Sequence, residues 1–293
     1  MKTTVATPRL SIVLPVLAAT EVFEETLLSV LENQPPACEV LVVHDGRYQD
    51  PFDLADEVRF VHSDSGGLID GIAAGCDAAW GRYVHVLAGG AKATEGWTID
   101  ALRRFEDFDV ASVTPVLRTD RDGEIVAAGW RDTAAGLMRP LDAGQRAASG
   151  EDRRLGVYLN ASFWRREVLR SLTRACATTD PLIATYAYRH LQATAGWRST
   201  LAPRSEVHVA DLGDVGKPSW RRGRILRSLK QHFGQSAGVA GVIAALQSVL
   251  RGGDIGEATG QIAGVISPIK TKGNFEASEV YSSAIYEQSR RAA

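Results

Sequence analysis

A dense group of cationic residues lies in the last third of the chain. The segment from Trp220 to Lys230 reads WRRGRILRSLK and contains four arginines and a lysine. Guanidinium groups bind phosphate oxygens through paired hydrogen bonds, so one interpretation is a site for a diphosphate. Together with the apolar helix that follows, the same segment could instead lie on an anionic membrane surface. The third interpretation is a solvated helix face without a ligand.

A second stretch is notable because it has almost no side chains. Residues 83 to 91 read YVHVLAGGA, an apolar run followed by Ala88, Gly89 and Gly90. A buried strand that leads to one point in space normally positions functional groups at its tip. Here the tip has no polar side chain, and its function depends on the elements around it.

Several common catalytic and binding motifs are missing. No GxGxxG turn follows the first predicted strand, no GxxxxGK[ST] loop occurs, and no nucleophile motif of the Ser-His-Asp or Cys-His type is recognisable. The three cysteines, Cys38, Cys76 and Cys176, are far apart and lack CxxC spacing. This pattern predicts neither a disulfide framework nor a zinc site, and it fits a reducing cytoplasm.

Composition describes an ordinary globular protein. The 293 residues are 45% hydrophobic and 23% charged, which is ample for one large domain and an extension. A formal net charge of -2 gives no reason to expect nucleic acid as a partner. No secretory signal and no apolar run long enough to span a membrane are predicted.

The first ninety residues alternate between strands and helices. Short apolar runs predict strands at Leu10–Val16, Glu39–Val43, Val58–His62 and Tyr83–Leu87. Helices are predicted at Glu21–Leu31 and Leu68–Trp80, the first with a broad apolar face of Val22, Leu27, Leu28, Val30 and Leu31. This β-α-β-β-α-β order predicts a mostly parallel, three-layer α/β sheet. In such sheets, ligands gather beyond the carboxyl ends of the strands.

The later segments predict further strands and helices, and the composition changes after Gly213. We expect strands at Val110–Leu117, Glu124–Ala128 and Thr200–Val209, helices at Ile99–Phe105, Asn160–Leu172, Leu182–Ala195 and Gly238–Leu250, and a polar loop from Thr133 to Asp152. After Gly213 the chain becomes basic, then apolar and helical. The expected division is an α/β domain over residues 1–212 and a helical extension over 213–293.

Several segments together resemble the inverting family 2 glycosyltransferases, which have the GT-A fold. They are, in chain order, LSIVLPV, EETLLSVLENQ, EVLVVHDGR, GGLIDGIAAGCDAAWGRYVHVL, DRDGEIVAAG and FWRREVL. The resemblance runs from Leu10 to His208. It implies a Rossmann-like nucleotide-binding half merged with an acceptor-binding half. It also implies inverting transfer of a sugar from a nucleotide-sugar donor to a glycan or lipid-linked acceptor.

The resemblance also implies a donor site, which this sequence matches incompletely. In the family an Asp-x-Asp motif holds Mg²⁺ or Mn²⁺, but Ala88-Gly89-Gly90 occupies that place and offers no carboxylate ligand. We therefore predict no metal site and no cofactor. The resemblance leaves five candidates on the nucleotide side. They are Pro15 in the turn after the first strand, His44 and Asp45 at the tip of the second strand, and Gly67 and Asp70 further on. Gly67 and Gly75 permit close approach of the backbone. For Asp70, a helix cap or a solvated turn is the alternative.

The acceptor side is implied in the same way. Asp180 lies where the family supplies the general base that takes a proton from the acceptor hydroxyl, although an N-cap before Pro181 is the competing interpretation. His208 matches a histidine that reaches the metal or diphosphate, with an ordinary structural role as the alternative. Arg221 and Arg222 are candidates to neutralise the diphosphate in place of a metal ion.

Two functions of different classes follow. The first is a metal-independent glycosyltransferase. The second is a catalytically inactive relative that keeps the fold as a binding or assembly module, and the bare strand tip favours it. Both are expected in the cytoplasm, with peripheral contact to the inner membrane face as an option, and neither involves nucleic acid.

Overall fold

The computed structural model describes residues 7–17, 20–51, 53–133, 136–149, 155–234, 239–250, 253–269 and 275–292. The first six elements are β1 (Leu10–Pro15), α1 (Thr20–Glu32), β2 (Cys38–His44), β3 (Arg59–His62), α2 (Leu68–Ala78) and β4 (Tyr83–Leu87). The predicted β-α-β-β-α-β order is confirmed, and β4 has the predicted bounds.

The middle of the chain adds strands to the same sheet. Its elements are β5 (Lys92–Ala93), α3 (Ile99–Arg104), β6 (Val110–Arg118), β7 (Ile125–Ala127), β8 (Trp130–Thr133), β9 (Gly136–Pro140), β10 (Ala161–Arg165), α4 (Arg166–Ala175), α5 (Pro181–Thr194) and β11 (Arg198–His208). The remaining helices are α6 (Gly213–Gly216), α7 (Trp220–His232), α8 (Val239–Leu250), α9 (Ile255–Ile266) and α10 (Ser283–Ala292), with a 3₁₀ turn at Ala277–Glu279.

The main sheet has the strand order β3-β2-β1-β4-β10-β6-β11-β5, and β7 pairs with β6. Strands β1 to β4 are parallel, whereas β10 runs antiparallel between β4 and β6. Apolar side chains cover both faces, so the strands are buried on both sides, as their continuous apolar sequences predict. The carboxyl ends of β1, β2 and β4 consequently meet at one edge.

The packing of α2 on β1 explains two of its glycines. A Cβ atom built on Gly75 would lie 2.4 Å from Cγ1 of Val13, and one on Gly71 would lie 2.9 Å from Cβ of Pro15. Gly75 therefore allows the helix to approach the sheet, which is a packing role and not the ligand approach that the sequence suggested. This close contact brings the first turn of α2 beside the end of β1.

Three sequence-based predictions are wrong in part. The predicted helix from Asn160 begins instead with the central strand β10, whose five residues are all buried between β4 and β6. The predicted loop after Thr133 contains β9, which forms a hairpin with β8. In α1 the buried face consists of Phe23, Thr26, Leu27 and Val30, while Val22 and Leu28 are exposed.

The residues after 213 contact the sheet domain through half-buried polar groups. Lys230 on α7 forms an ion pair with Asp132 on β8 at 3.1 Å. Trp197 Nε1, just before β11, donates to the carbonyl oxygen of Tyr281 at 2.5 Å. Within the extension, α7 and α9 cross so closely that a Cβ on Gly223 would lie 2.0 Å from the carbonyl oxygen of Glu257. Among the helices of the described ranges, none is both long and apolar enough to cross a membrane.

Candidate functional site

The sheet edge at the ends of β1 and β2 brings four predicted nucleotide-side residues into one area. Pro15 is in register with Val43, so β1 and β2 end together. A Cβ atom built on Gly66 would lie 3.0 Å from Oδ2 of Asp45, and one on Gly67 would lie 3.6 Å from Oδ2 of Asp70. Glycine in this loop thus leaves room for both carboxylates.

Asp45 presents a carboxylate at the tip of β2. Its Oδ1 accepts a hydrogen bond from the backbone N–H of Arg47 at 3.2 Å, and its Oδ2 lies 3.3 Å from Nε of the same residue. The Arg47 side chain is almost fully exposed, so this ion pair contributes little to stability. Asp45 therefore keeps a carboxylate that a ligand can reach by displacing a solvated arginine.

An aromatic group lies beside that carboxylate. The ring of Tyr48 stacks on Phe60 with centroids 6.3 Å apart, and His44 meets Phe60 edge to face at 5.9 Å. Burial, followed by repulsion from Glu24 and Asp50, raises the pKa of Tyr48 to about 12. Nδ1 of His44 accepts from the backbone N–H of Gly46 at 3.2 Å, which orients the imidazole ring. Sequence analysis missed Tyr48, although its place just after Asp45 in a loop was a usable signal.

Asp70 lies in the first turn of α2 and does not cap it. The N-cap is Gly67, which provides no side-chain cap. The hydroxyl of Ser65 donates to Oδ2 of Asp70 and accepts from the backbone N–H of Gly67 at 3.1 Å. These bonds close the loop locally. Asp70 stays half-buried, and the adjacent glycines Gly66 and Gly67 lie against Asp45 and Asp70 respectively.

The tip of β4 turns on two consecutive glycines. Gly89 and Gly90 have φ angles of +68° and +78°, values that favour glycine. A Cβ on Gly89 would meet nothing within 4 Å, whereas one on Gly90 would lie 2.6 Å from Cγ1 of Val22. Ala88 is buried, and its N–H donates to the carbonyl oxygen of Asn160 at 2.9 Å. The bare tip is thus a tight turn with open space above Gly89.

This turn does not fit the metal ion that the resemblance implies. Mg²⁺ and Mn²⁺ need oxygen ligands, and the three tip residues have none in their side chains. Within the described part of the chain, no three His, Cys, Asp or Glu side chains are grouped closely enough to hold a metal ion. We therefore assign no chemical step to a metal.

Asp180 caps α5, which confirms the N-cap interpretation. Its Oδ1 accepts from the backbone N–H of Leu182 at 2.9 Å and from that of Ile183 at 3.4 Å, and Pro181 occupies the first helical position. Its Oδ2 is paired with the guanidinium of Arg221 at the start of α7. Two residues that the sequence assigned to different roles are therefore in direct contact.

The two neighbouring arginines of α7 have opposite environments. The Arg221 side chain is 66% exposed. Arg222 is buried, forms an ion pair with buried Glu257 at 2.6 Å, and donates to the carbonyl oxygen of Met138 at 2.8 Å. Its guanidinium is committed to the contact between α7, α9 and β9, so we leave Arg222 out of the proposed diphosphate site.

His208 ends β11 in a charged group on the far side of the β4 tip. Its Nδ1 lies 2.8 Å from Oδ1 of Asp120. The residue in register with it on β5 is Lys92, two positions after Gly90, and Nζ of Lys92 lies 3.0 Å from Oε2 of Glu25. A hydrogen bond to Glu25 raises the pKa of Lys92. Sequence analysis missed this lysine, although it is the first cation after the bare tip.

Comparison with known proteins supports the fold. No protein-family model matches the sequence, and no curated protein matches it. Among solved structures, the chain is similar to TarS 1-349 of S. aureus in complex with UDP, at 12% identity over 82% of this chain and 69% of that one, with a TM-score of 0.51. The complex of TarS 1-349 with UDP-GlcNAc aligns at 11% identity over 82% and 70% of the two chains, with a TM-score of 0.52.

A second protein aligns equally well over less of its length. GalNAc-T7 with UDP, GalNAc and Mn²⁺ is similar at 15% identity over 87% of this chain, with a TM-score of 0.52. The alignment spans 54% of that chain, about half of its length. With these neighbours, the curled, mostly parallel sheet identifies the fold as GT-A-like. At such low identities the likeness establishes the fold alone.

Proposed function

We propose that the protein is a glycosyltransferase that moves a sugar from a nucleotide-sugar donor to an acceptor hydroxyl. The observation that carries this proposal is the grouping of Asp45 and Asp70 around the glycine loop at the carboxyl ends of β1 and β2, in a fold whose neighbours hold UDP or UDP-GlcNAc. Fold does not establish chemistry, so the side chains around this loop must supply it.

The nucleoside half of the donor is assigned to the β2 tip. The carboxylate of Asp45 accepts hydrogen bonds from the base or the ribose, and the ring of Tyr48, stacked on Phe60, provides an aromatic surface near it. Pro15 and Gly67 shape the opposite side, and the carboxylate of Asp70 accepts from a further hydroxyl of the donor. The diphosphate then extends toward the open space above Gly89.

The reaction is assigned as a single displacement with inversion. The acceptor oxygen attacks the anomeric carbon while the bond from that carbon to the diphosphate oxygen breaks, and the nucleoside diphosphate leaves with the electron pair. Asp180 takes the proton of the attacking hydroxyl through Oδ2, because Oδ1 remains occupied as the cap of α5. The exposed guanidinium of Arg221 transfers from Oδ2 to the leaving diphosphate, which frees the base and stabilises the departing charge.

The acceptor is assigned as a glycan or a lipid-linked glycan. The pair of Asp180 and Arg221 lies between the sheet domain and the extension, so the acceptor approaches where these two parts meet. The sequence division at residue 212 is retained in this proposal as the boundary between the donor-binding domain and the helices that border the acceptor.

A binding module without catalysis is the second candidate, and a specific observation favours it. Both carboxylate oxygens of Asp180 have partners, and the tip of β4 has no charged side chain. Such a protein would bind a nucleotide sugar or a partner protein but would not turn a donor over.

Calorimetric titration of UDP, GDP and dTDP, and of their sugar conjugates, tests the donor assignment. We expect one nucleotide to bind equally well with Mn²⁺ and with EDTA, since the guanidinium of Arg221 replaces the metal ion. Binding that requires Mn²⁺ contradicts the metal-independent mechanism. Binding of no member of the series contradicts the donor site itself. Binding without release of nucleoside diphosphate in the presence of acceptors favours the second candidate.

A further inference from the structure

An apolar cavity of about 360 Å³ lies between α1 and the loop that connects β2 to β3. Leu27, Leu28 and Leu31 line it from α1, and Leu54 lines it from the loop. Leu27 is buried, Leu31 and Leu54 are half-buried, and Leu28 is 58% exposed. Because Leu28 belongs to the wall and is also open to solvent, the cavity is an open groove. We refer to it as the α1 groove.

The side of the α1 groove that α1 provides is also acidic. Glu21, Glu24 and Glu25 line the groove beside the leucines, and residues 20–32 include no lysine or arginine. Glu25 pairs with Lys92 at 3.0 Å, whereas no ion pair involves Glu21 or Glu24 in the described part of the chain. Like charges three and four residues apart on a helix repel each other. The α1 groove therefore combines an apolar lining with negative charge that the protein does not neutralise.

The loop on the other side of the α1 groove has the same sign of charge. Residues 48–58 include two aspartates before Leu54, a further aspartate and a glutamate after it, and no lysine or arginine. Burial, followed by repulsion from Glu24 of α1 and Asp50 of the loop, raises the pKa of Tyr48 to about 12. Carboxylates from both sides of the groove therefore act on the same side chain, and their negative potentials add.

The charge of both sides selects the occupant of the α1 groove. The cations next to these segments, Arg47, Arg59 and Lys92, are each paired with a carboxylate of this protein. A carboxylate-lined apolar groove disfavours anionic ligands and anionic lipid, and it favours apolar groups that carry cations beside them. An amphipathic helix enters such a groove with side chains three and four residues apart. The 13 residues of α1 can accompany about three turns of a second helix.

We propose that the α1 groove binds a basic amphipathic helix of a partner protein. Aliphatic side chains of the partner contact Leu28, Leu31 and Leu54, and its lysines or arginines pair with Glu21 and Glu24. A small amine fits less well, because small-ligand pockets enclose most of their ligand and the wall of this groove is open at Leu28. A second copy of α1 fits less well too, since a two-fold contact would bring two acidic surfaces together. The proposal goes beyond the proposed function, since binding a helix requires neither donor nor acceptor.

Fluorescence anisotropy of a labelled synthetic helix with the full-length protein tests the proposal. The probe is a peptide as long as α1, with leucines three and four residues apart and lysines at the other positions. We expect it to bind, to bind more weakly at high salt, and to lose binding when glutamate replaces every lysine. The double variant Glu21→Gln with Glu24→Gln should weaken binding by about fivefold or more, and so should Leu28→Gln. Thermal unfolding of each variant checks that it is folded.

Matched controls change the same residue types outside the α1 groove. Glu276 and Glu279 are exposed and three residues apart, so Glu276→Gln with Glu279→Gln repeats the charge change, and Ile99→Gln on α3 replaces an exposed apolar residue. Both controls should bind the lysine peptide as the wild type does.

Four results would overturn the proposal. The wild type does not bind the lysine peptide, or it binds the glutamate peptide equally well. The groove variants bind the lysine peptide unchanged, or the controls lose as much affinity as they do. Octylamine, a small amine with an apolar tail, binds as tightly as the peptide. Sedimentation equilibrium without peptide shows a wild-type dimer that the groove variants convert to a monomer. Nucleotide calorimetry without peptide fails or succeeds independently of each of these results.

Discussion

Replacement of Asp180 by asparagine separates its role as a helix cap from its proposed role as a base. Its Oδ1 caps α5 and its Oδ2 is paired with Arg221. Asparagine caps helices about as well as aspartate, so Asp180→Asn keeps the hydrogen bonds to the first turn. The losses are an ion pair with a largely exposed arginine and one negative charge at a helix N-terminus. Together they should cost about 1 kcal/mol of unfolding free energy.

The expected effect on turnover is much larger. A positioned general base contributes about 100-fold to 10,000-fold to the rate, and asparagine cannot accept the acceptor's proton. We therefore expect Asp180→Asn to lower kcat by at least about 100-fold, equivalent to about 2.7 kcal/mol in the activation free energy. Donor affinity should change little, because Asp180 does not contact the nucleoside in the proposed arrangement.

The assay is release of nucleoside diphosphate from the donor found by calorimetry, measured with a panel of glycan and lipid-linked acceptors. Asp180→Ala is the matched variant, since it removes the base and also the cap, at a further cost of about 1 kcal/mol in unfolding free energy. A folded Asp180→Asn protein with turnover within a few-fold of the wild type would remove Asp180 from the mechanism. Equal unfolding free energies for the two variants would show that the cap is unimportant.

Three further predictions concern charge and burial. Arg221→Ala should weaken nucleoside diphosphate binding by about tenfold or more, because charge-assisted hydrogen bonds contribute about 1.5–3 kcal/mol, and calorimetry measures this. Glu257→Ala should lower the unfolding free energy in urea by about 3–5 kcal/mol, since it leaves the guanidinium of Arg222 buried without its carboxylate. Burial lowers the pKa of His85 from 6.5 to about 3, so the unfolded chain binds a proton that the folded protein does not. The contribution of His85 to the free energy of unfolding is therefore fully present above pH 6.5. Below pH 6.5 the free energy of unfolding falls by up to about 1.4 kcal/mol per pH unit from this residue. His85→Phe should reduce this slope, which urea titrations at several pH values measure.

The predictions for Arg221 and Glu257 each have a matched control. Lys217→Ala removes another surface cation that is paired with Asp211, and it should leave nucleotide affinity unchanged. Equal losses of nucleotide affinity in Arg221→Ala and Lys217→Ala would contradict a specific role for Arg221. Asp77→Ala breaks an exposed pair with Arg170 and should cost less than about 1 kcal/mol, so a similar cost for Glu257→Ala would contradict the buried-pair argument. If the free energy of unfolding of His85→Phe falls with pH as steeply as that of the wild type, groups other than His85 cause the fall.

Local signals in the sequence predict the nucleotide-binding half of the fold well. Apolar runs of five to seven residues define β1, β2 and β4, because strands that are covered on both faces need few polar positions, while the edge strand β3 keeps Arg59 and His62. The aspartate and proline at the start of α5 likewise predict its cap, since N-cap and first-turn preferences act within a few residues. These features depend on neighbours along the chain.

The strand β10 shows where local pattern stops being sufficient. The sequence FWRREV has apolar and polar residues that fit a helix or a short strand, and only the place between β4 and β6 makes the first part a strand. The buried guanidinium of Arg165 is stabilised there by the carbonyl oxygens of Phe105 and Val110, which are distant in sequence.

The chemistry of the candidate site and of the α1 groove was decided by tertiary structure. Adjacent arginines on a helix point about 100° apart, so Arg221 meets Asp180 at the solvent-exposed surface while Arg222 is buried against Glu257. The sequence predicts a broad apolar face on α1 that includes Leu28. Only the packing of α1 on the sheet leaves this leucine exposed in the wall of the groove. The sequence by itself thus determined the elements and their order, and the three-dimensional contacts decided which side chains remain available to a ligand or a partner protein.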